Sequence, residues 1–209
     1  MARLNNGLYG HISGALGPAI ASTWKGKPYL RSRPRKRGKK RGIKEKLNQD
    51  KFSKAHYWLQ PLLDFIRIGF RSYSPTIDGF NAAKSCCLKN SFTSEAAEQK
   101  IDPSLVQLSH GELPLPLNIN IKRSGDHLLE FSWDTTYNGG NHYDQAMLVA
   151  YDVEARRVEM KLTGQFRLTG ADKMELPPVR NKSYHVYIAF VAHDRSRQSN
   201  SVYLGIINV

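Results

Sequence analysis

The sequence has only two cysteines and no long hydrophobic segment. Cys86 and Cys87 are adjacent, and a disulfide between neighbouring residues is strained, so we expect no disulfide framework. No apolar run approaches the roughly 18 residues that a membrane-spanning helix needs. We therefore expect a soluble protein.

The sequence also lacks the spacings that mark a metal or catalytic site. Seven histidines are scattered along the chain without an H-E-x-x-H or C-x-x-C pattern. His142 and Asp144 are the nearest approach to an acid–base pair, on one face of a strand, and surface roles are favoured for both. The helical neighbours of Cys87 favour a core thiol over a nucleophile. We therefore expect no enzyme, no metal and no cofactor.

Acidic residues are almost absent from the first part of the chain. Residues 1–46 contain thirteen Lys and Arg against the single acid Glu45, whereas residues 47–209 contain eighteen bases and seventeen acids. A nearly neutral chain able to fold thus carries a Gly-rich, basic arm. Such charge asymmetry indicates an anionic partner, with nucleic acid first and an anionic membrane surface second, and an acidic protein surface is a further alternative.

The basic arm gives the candidate site. AIASTW and KPYLRS, joined by Lys25-Gly26, predict a β-hairpin across which Trp24 and Tyr29 could pair. The same two rings could instead stack on bases. Pro34 excludes a regular helix in the run that follows. The candidate anion-binding residues are Lys25, Lys27, Arg31, Arg33, Arg35, Lys36, Arg37, Lys39, Lys40 and Arg41.

The middle of the chain has helical periodicity. One stretch runs from about Ile43 to Phe70, and Pro61 must kink or split it. A shorter helix is predicted from about Asp78 to Phe92. The apolar face of the first stretch comprises Leu47, Phe52, Ala55, Leu59, Leu62 and Ile66.

The last part of the chain has strand periodicity, with turn residues at Asn138-Gly139-Gly140 and Gly170-Ala171-Asp172. Tyr184, Val186, Ile188 and Phe190 alternate and should share one face. The predicted strands are IDPSLVQLS, LNINIKR, HLLEFSW, AMLVAYD, RVEMKLT, YHVYIAFVA and SVYLGIIN. We predict an α+β protein with an arm and hairpin over 1–46, a helical segment over 47–98 and an antiparallel β-sandwich over 99–209.

Several phrases carry a resemblance to known families. TWKGKPYLRSRP, FSKAHYWLQPLLDFIRIGF and the SNSVYLG ending resemble a family of unknown function from Bacteroidota and their phages. The C-terminal part resembles a fibronectin type III domain, in which Trp133 stands for the buried strand-B tryptophan and YHVYIAFV for the Tyr-containing strand F. These resemblances imply a sandwich architecture and no chemistry.

The sequence favours a non-enzymatic structural or assembly protein whose arm contacts nucleic acid, without sequence preference, or an acidic partner surface. A homo-oligomer or larger phage-related particle is the expected setting, and the expected location is the cytoplasm or the virion. Ala-Ile-Ala near residue 21 imitates a signal-peptidase site, but Gly14, Gly17 and Pro18 interrupt the apolar segment before it, so secretion is not expected. The alternatives are a host nucleic-acid accessory protein and a protein- or glycan-binding sandwich module.

Overall fold

Antiparallel pairing joins all the strands that the computed structural model describes. The described residues are 3–4, 10–24, 26–35, 38, 40, 42–93, 99–125, 127–178 and 181–209. They divide into two compact units, Met1–Ile43 and Lys44–Val209. The helices and the C-terminal strands therefore belong to one unit.

The first unit is a four-stranded meander. Its strands, in spatial order, are β1 (Arg3–Leu4), β2 (Ile12–Leu16), β3 (Ala19–Trp24) and β4 (Lys27–Ser32). The structure confirms the predicted β3–β4 hairpin, and Gly26 has a φ of 77° in its turn, which glycine adopts without steric cost. The structure also contains β2, a strand that the sequence pattern does not predict. Backbone pairing with β3 orders this Gly-containing stretch, which has little strand pattern of its own.

The helical layer of the second unit is interrupted at Pro61, as the sequence predicts. α1 (Ile43–Leu59) is followed by a single 3₁₀ turn (Gln60–Leu62) and by α2 (Leu63–Gly69), and α3 is Gly79–Asn90. Pro61 lies in the 3₁₀ turn, since it has no N–H to donate and its ring clashes with the preceding helical turn. The predicted split of the first helical stretch is confirmed.

The predicted apolar face of the first helical stretch is only partly buried. Ala55, Leu59, Leu62 and Ile66 are completely buried. The sequence predicts Leu47 and Phe52 on the same face, but their side chains are 45% and 50% exposed. The correction has a simple cause: all the buried residues of α1 lie in its C-terminal half, so the first turns do not reach the core.

The strands of the second unit form two sheets. The four-stranded sheet has the order β11-β10-β7-β8 and the three-stranded sheet the order β5-β6-β9. The strands are β5 (Asn120–Arg123), β6 (Leu128–Ser132), β7 (Gln145–Asp152), β8 (Arg157–Lys161), β9 (Ala171–Glu175), β10 (Ser183–Val191) and β11 (Val202–Asn208).

Two local predictions of strand structure are wrong. IDPSLVQLS forms a 3₁₀ turn (Pro103–Leu105) instead of a strand, because the Asp102 carboxylate accepts a hydrogen bond from Ser104 N and caps the turn. The turn predicted at residues 170–172 is confined to Gly170, with a φ of 72°, and β9 begins at the next residue.

Both faces of β7 and β10, the two central strands of the four-stranded sheet, are buried. One face of β10 bears Tyr184, Val186, Ile188 and Phe190, as predicted, and packs in a core shared with the three-stranded sheet. The other face of β7 and β10, which includes Val149 and Tyr187, packs in a second core with the helices. The helices are thus a third layer on the sandwich.

Cys87 lies on the buried face of α3 and faces the core, as its helical neighbours predict. Its side chain is 1% exposed, and burial raises the pKa of the thiol to about 11. Because the thiolate is the reactive species, iodoacetamide at mildly alkaline pH should modify the partly exposed Cys86 in the native protein and Cys87 only after unfolding. Fragment mass spectrometry of the peptide that carries both residues measures this difference. Equal labelling of both thiols in the native protein would contradict the buried position.

Candidate nucleic-acid interface

The β3–β4 hairpin sorts its side chains onto two faces. In the observed register Trp24 lies opposite Lys27, Ser22 opposite Tyr29, and Ile20 opposite Arg31. Cross-strand partners share a face, and so do alternate residues along a strand. Trp24, Lys27, Tyr29 and Arg31 therefore project from the same side of the sheet.

This register corrects one detail of the predicted hairpin. The two-residue turn sets Trp24 opposite Lys27, so Tyr29 is the diagonal neighbour of Trp24 instead of its direct partner. The side chains of Trp24 and Tyr29 are 59% and 44% exposed, and Lys27 lies beside them. Together these three residues line a shallow depression of about 460 Å³. The rings thus remain accessible on the cationic side of the hairpin.

The basic residues that follow extend this charged surface. Arg33 N donates to Pro18 O at 2.8 Å, which continues the hairpin pairing beyond β4. Arg33, Arg35 and Lys40 are exposed. The other candidate residues, Lys25, Lys36, Arg37, Lys39 and Arg41, lie outside the residues that the structure describes.

No acid in the same unit neutralises this surface. The sequence of residues 1–43 contains eleven Lys and Arg and neither Asp nor Glu. The opposite face of the sheet is different in character, with Ile12, Leu16 and Leu30 on it. Their side chains are 37%, 49% and 67% exposed. The unit therefore has one cationic, aromatic face and one apolar face.

The candidate acid–base residues His142 and Asp144 do not lie on a strand, contrary to the prediction. His142 and Asp144 precede β7, in a turn, and His142 is exposed. Asp144 forms an ion pair with Arg167, with 3.2 Å between Asp144 Oδ2 and Arg167 Nη1, and the two side chains are only 1% and 5% exposed. The Asp144 carboxylate therefore has a structural partner.

Arg167 is the centre of a polar network that sequence reasoning missed. Its Nη2 donates to Pro114 O at 2.6 Å and to Asn138 Oδ1 at 2.9 Å, while its carbonyl accepts from Trp133 Nε1 at 2.8 Å. Burial lowers the pKa of Arg167, and the Asp144 carboxylate opposes that shift. This network ties the loops before β7 and before β9 to the sandwich core.

Within the described part of the chain, no group of three or more His, Cys, Asp or Glu side chains could hold a metal ion. Among those residues, too, no helix combines the length and apolar character needed to cross a membrane.

The fold and the candidate site define a two-unit α+β protein, with a small basic sheet and a helix-covered β-sandwich. The chain belongs to the family of unknown function DUF6266, whose sequence profile matches residues 11–205. No curated protein matches it.

Two solved structures of fibronectin type III domains are similar to about half of the chain. The fn3 domain of the human collagen alpha-1(XX) chain is 12% identical, with a TM-score of 0.36, and the match covers 46% of this chain and 85% of that one. The FN1–FN3 domains of chicken CNTN1 are 14% identical, with a TM-score of 0.29, and the match covers 47% and 33%.

Proposed function

We propose that this is a non-enzymatic structural protein whose N-terminal sheet binds nucleic acid without sequence preference. The observation that supports the proposal is the common face of Trp24, Lys27, Tyr29 and Arg31. Cations that track a phosphate backbone, beside aromatic rings on which bases stack, are the elements of a single-strand binding surface.

The energetic terms favour contacts with phosphates and stacking on base rings over recognition of base edges. Each phosphate that Lys27 or Arg31 neutralises releases counterions and steepens the salt dependence. Stacking on Trp24 or Tyr29 adds about 1 to 3 kcal/mol per base and tolerates any base. A surface of this kind binds the backbone and the ring faces of a strand, and neither carries sequence information.

The setting we propose is an assembly of like subunits, in the cytoplasm or in a phage-related particle. Extended basic segments suit proteins that interlock around packaged nucleic acid, and residues 33–42 continue the charge of the sheet. A host accessory protein has the same surface but forms no large species. An acidic protein surface is the other partner that the basic N-terminal surface could bind.

The decisive experiment measures binding of the full-length protein to a short fluorescein-labelled oligothymidylate across a salt series. The double variant Lys27→Ser/Arg31→Ser should bind at least about tenfold more weakly at low salt, because it loses two phosphate contacts. Its log–log salt slope should be shallower by about 1.4, since each contact with a single strand contributes about 0.7. Sedimentation of the same mixtures shows whether a large species forms.

A matched control separates this surface from general charge. Lys173 and Lys122 are exposed basic residues of the second unit, so Lys122→Ser/Lys173→Ser removes the same charge elsewhere. Equal weakening by the two double variants, or no weakening by either, would refute the proposed interface. Tighter binding of an oligoglutamate than of the oligothymidylate would assign the surface to an acidic protein partner.

A second candidate function rests on an aromatic patch of the sandwich. Tyr143 and Phe166 meet edge to face with 5.9 Å between ring centroids, and they are 61% and 43% exposed. Tyr137 and Leu168, in the same two loops, are also exposed. Exposed rings held by a rigid scaffold suit a protein- or glycan-binding module. Loss of binding on a glycan array in Tyr143→Ala would support it.

A further inference from the structure

The second unit contains a groove of about 620 Å³ that combines aromatic and basic side chains. Its aromatic lining residues are Tyr57, Trp58 and Tyr151, and its charged lining residues are Lys54, Lys100 and Arg156. No carboxylate is among the described residues that line it. The charged groups that these described residues offer a ligand are therefore cations.

The floor of the groove is rigid. Tyr151 OH donates to Trp58 O at 3.1 Å, and the two rings meet edge to face with 5.0 Å between centroids. Both side chains are buried, at 1% and 8% exposure. The floor is thus part of the core between α1 and β7, and it does not have to form when a ligand arrives.

The rim combines an exposed ring with a fixed guanidinium. Tyr57 is 59% exposed. Arg156 lies with its guanidinium carbon 5.5 Å from the centroid of the Tyr57 ring, and its Nη2 donates to Tyr57 O at 3.1 Å. Asp152 Oδ1 accepts from Ala155 N and holds the turn in which Arg156 adopts a φ of 54°.

Lys54 adds a second directed cation. Its Nζ donates to Gln99 O at 2.9 Å, which fixes the ammonium at the groove and uses one of its three donors. Lys54 and Arg156 both line the groove beside Tyr57. A flat ring beside two cations offers contacts for both parts of one nucleotide, a base and its phosphate.

We propose that this groove binds one nucleotide of a single-stranded polynucleotide, with the base against Tyr57 and the phosphate held by Lys54 and Arg156. The inference rests on the proposed function, because it gives the same ligand a second contact on the chain. An acidic peptide would satisfy the two cations but would leave the exposed ring without a planar partner. The nucleotide uses both features.

The test uses the full-length protein and the fluorescein-labelled oligothymidylate. Arg156→Asn should weaken binding about five- to tenfold, and Tyr57→Ser by a similar factor, through lost phosphate contact and lost stacking. Tyr57→Phe keeps the ring and should bind like the wild type. A merely structural role of the Tyr57 hydroxyl would instead make the Phe and Ser variants equally weak.

Arg195→Asn is the matched control. Arg195 also has a positive φ, 56°, in a turn after a strand of the same sheet, and Asn tolerates that conformation. It lies beyond the end of β10, whereas Arg156 lies in the turn between β7 and β8. Arg195→Asn should change affinity less than about twofold. If it weakens binding as much as Arg156→Asn, only net charge matters and the groove is not a site.

The outcomes separate the groove from the N-terminal surface. Weakening by Lys27→Ser/Arg31→Ser alone, with the groove variants unchanged, overturns this inference and leaves the proposed function standing. Weakening by the groove variants alone supports the groove and refutes the N-terminal interface. Preferential, Arg156-dependent binding of a labelled oligoglutamate would assign the groove to a protein partner and overturn the nucleotide assignment.

Discussion

Replacing Arg167 by Met should lower the free energy of unfolding by about 3 to 5 kcal/mol, because the Asp144 carboxylate is then buried without its cation. Two other acceptors, Pro114 O and Asn138 Oδ1, lose their donor at the same time. Urea denaturation followed by tryptophan fluorescence measures the loss. The chain contains three tryptophans, and Trp133 donates to the Arg167 carbonyl.

The control for this prediction is a solvent-exposed ion pair. Lys173 Nζ lies 3.4 Å from Glu130 Oε1, and the two side chains are 59% and 38% exposed. Lys173→Met should cost less than about 1 kcal/mol. Adding Asp144→Leu to Arg167→Met should recover part of the loss, because an apolar pair has no charge to desolvate. If Arg167→Met costs no more than Lys173→Met, the buried pair is not a principal support of these loops.

The Arg167 pair also links stability to the second candidate function. Arg167 N donates to Asp144 O at 2.7 Å, and Leu168 N donates to His142 O at 3.1 Å, so the two loops are tied by backbone as well as by charge. The exposed rings of Tyr143 and Phe166 belong to these loops. A variant that loosens the pair should therefore disturb the aromatic patch before it disturbs the helices.

Local pattern was sufficient for the elements whose determinants are close in sequence. The β3–β4 hairpin depends on a two-residue turn, and the end of α1 depends on Pro61. The strand β10 is recognisable as a nearly continuous run of apolar residues, because hydrophobic side chains cover both of its faces. In each case the residues that decide the structure lie within one turn or one strand.

The missed strand shows what local pattern cannot supply. β9 includes Asp172, whose side chain points inward and is buried, and an inward acid conceals the alternation of a strand. Its charge is balanced by Lys161 Nζ at 2.6 Å, and its Oδ2 accepts from Gln165 N. Neither partner can be identified before the sheets are paired.

The candidate sites differ in the same way. The charge of the N-terminal surface could be predicted, because it is contiguous in sequence, although the diagonal placement of Trp24 and Tyr29 emerged only from the strand register. The groove could not, since Tyr57 and Arg156 are 99 positions apart and meet only when α1 packs on the four-stranded sheet. Neither residue stands in a motif, so no sequence signal indicates their proximity.

The layered fold makes a second strong prediction. Leu148→Ala opens a cavity between the two sheets, and Leu59→Ala opens one between the helices and the four-stranded sheet. Each residue is completely buried, so each variant should lose about 2 to 5 kcal/mol of the free energy of unfolding. Ile206 is 57% exposed, and Ile206→Ala should cost no more than about 0.5 kcal/mol.

The two core variants should also unfold in one transition. β7 and β10 contribute one face to each core, so a cavity on either side weakens strands that both cores need. Circular dichroism of the helices and fluorescence of the tryptophans should therefore report the same midpoint in both variants. A helical signal that is lost first in Leu59→Ala, while the fluorescence transition stays at its wild-type midpoint, would show that the helices fold as a separate segment. A common shift would show that the four-stranded sheet couples the helices to the three-stranded sheet.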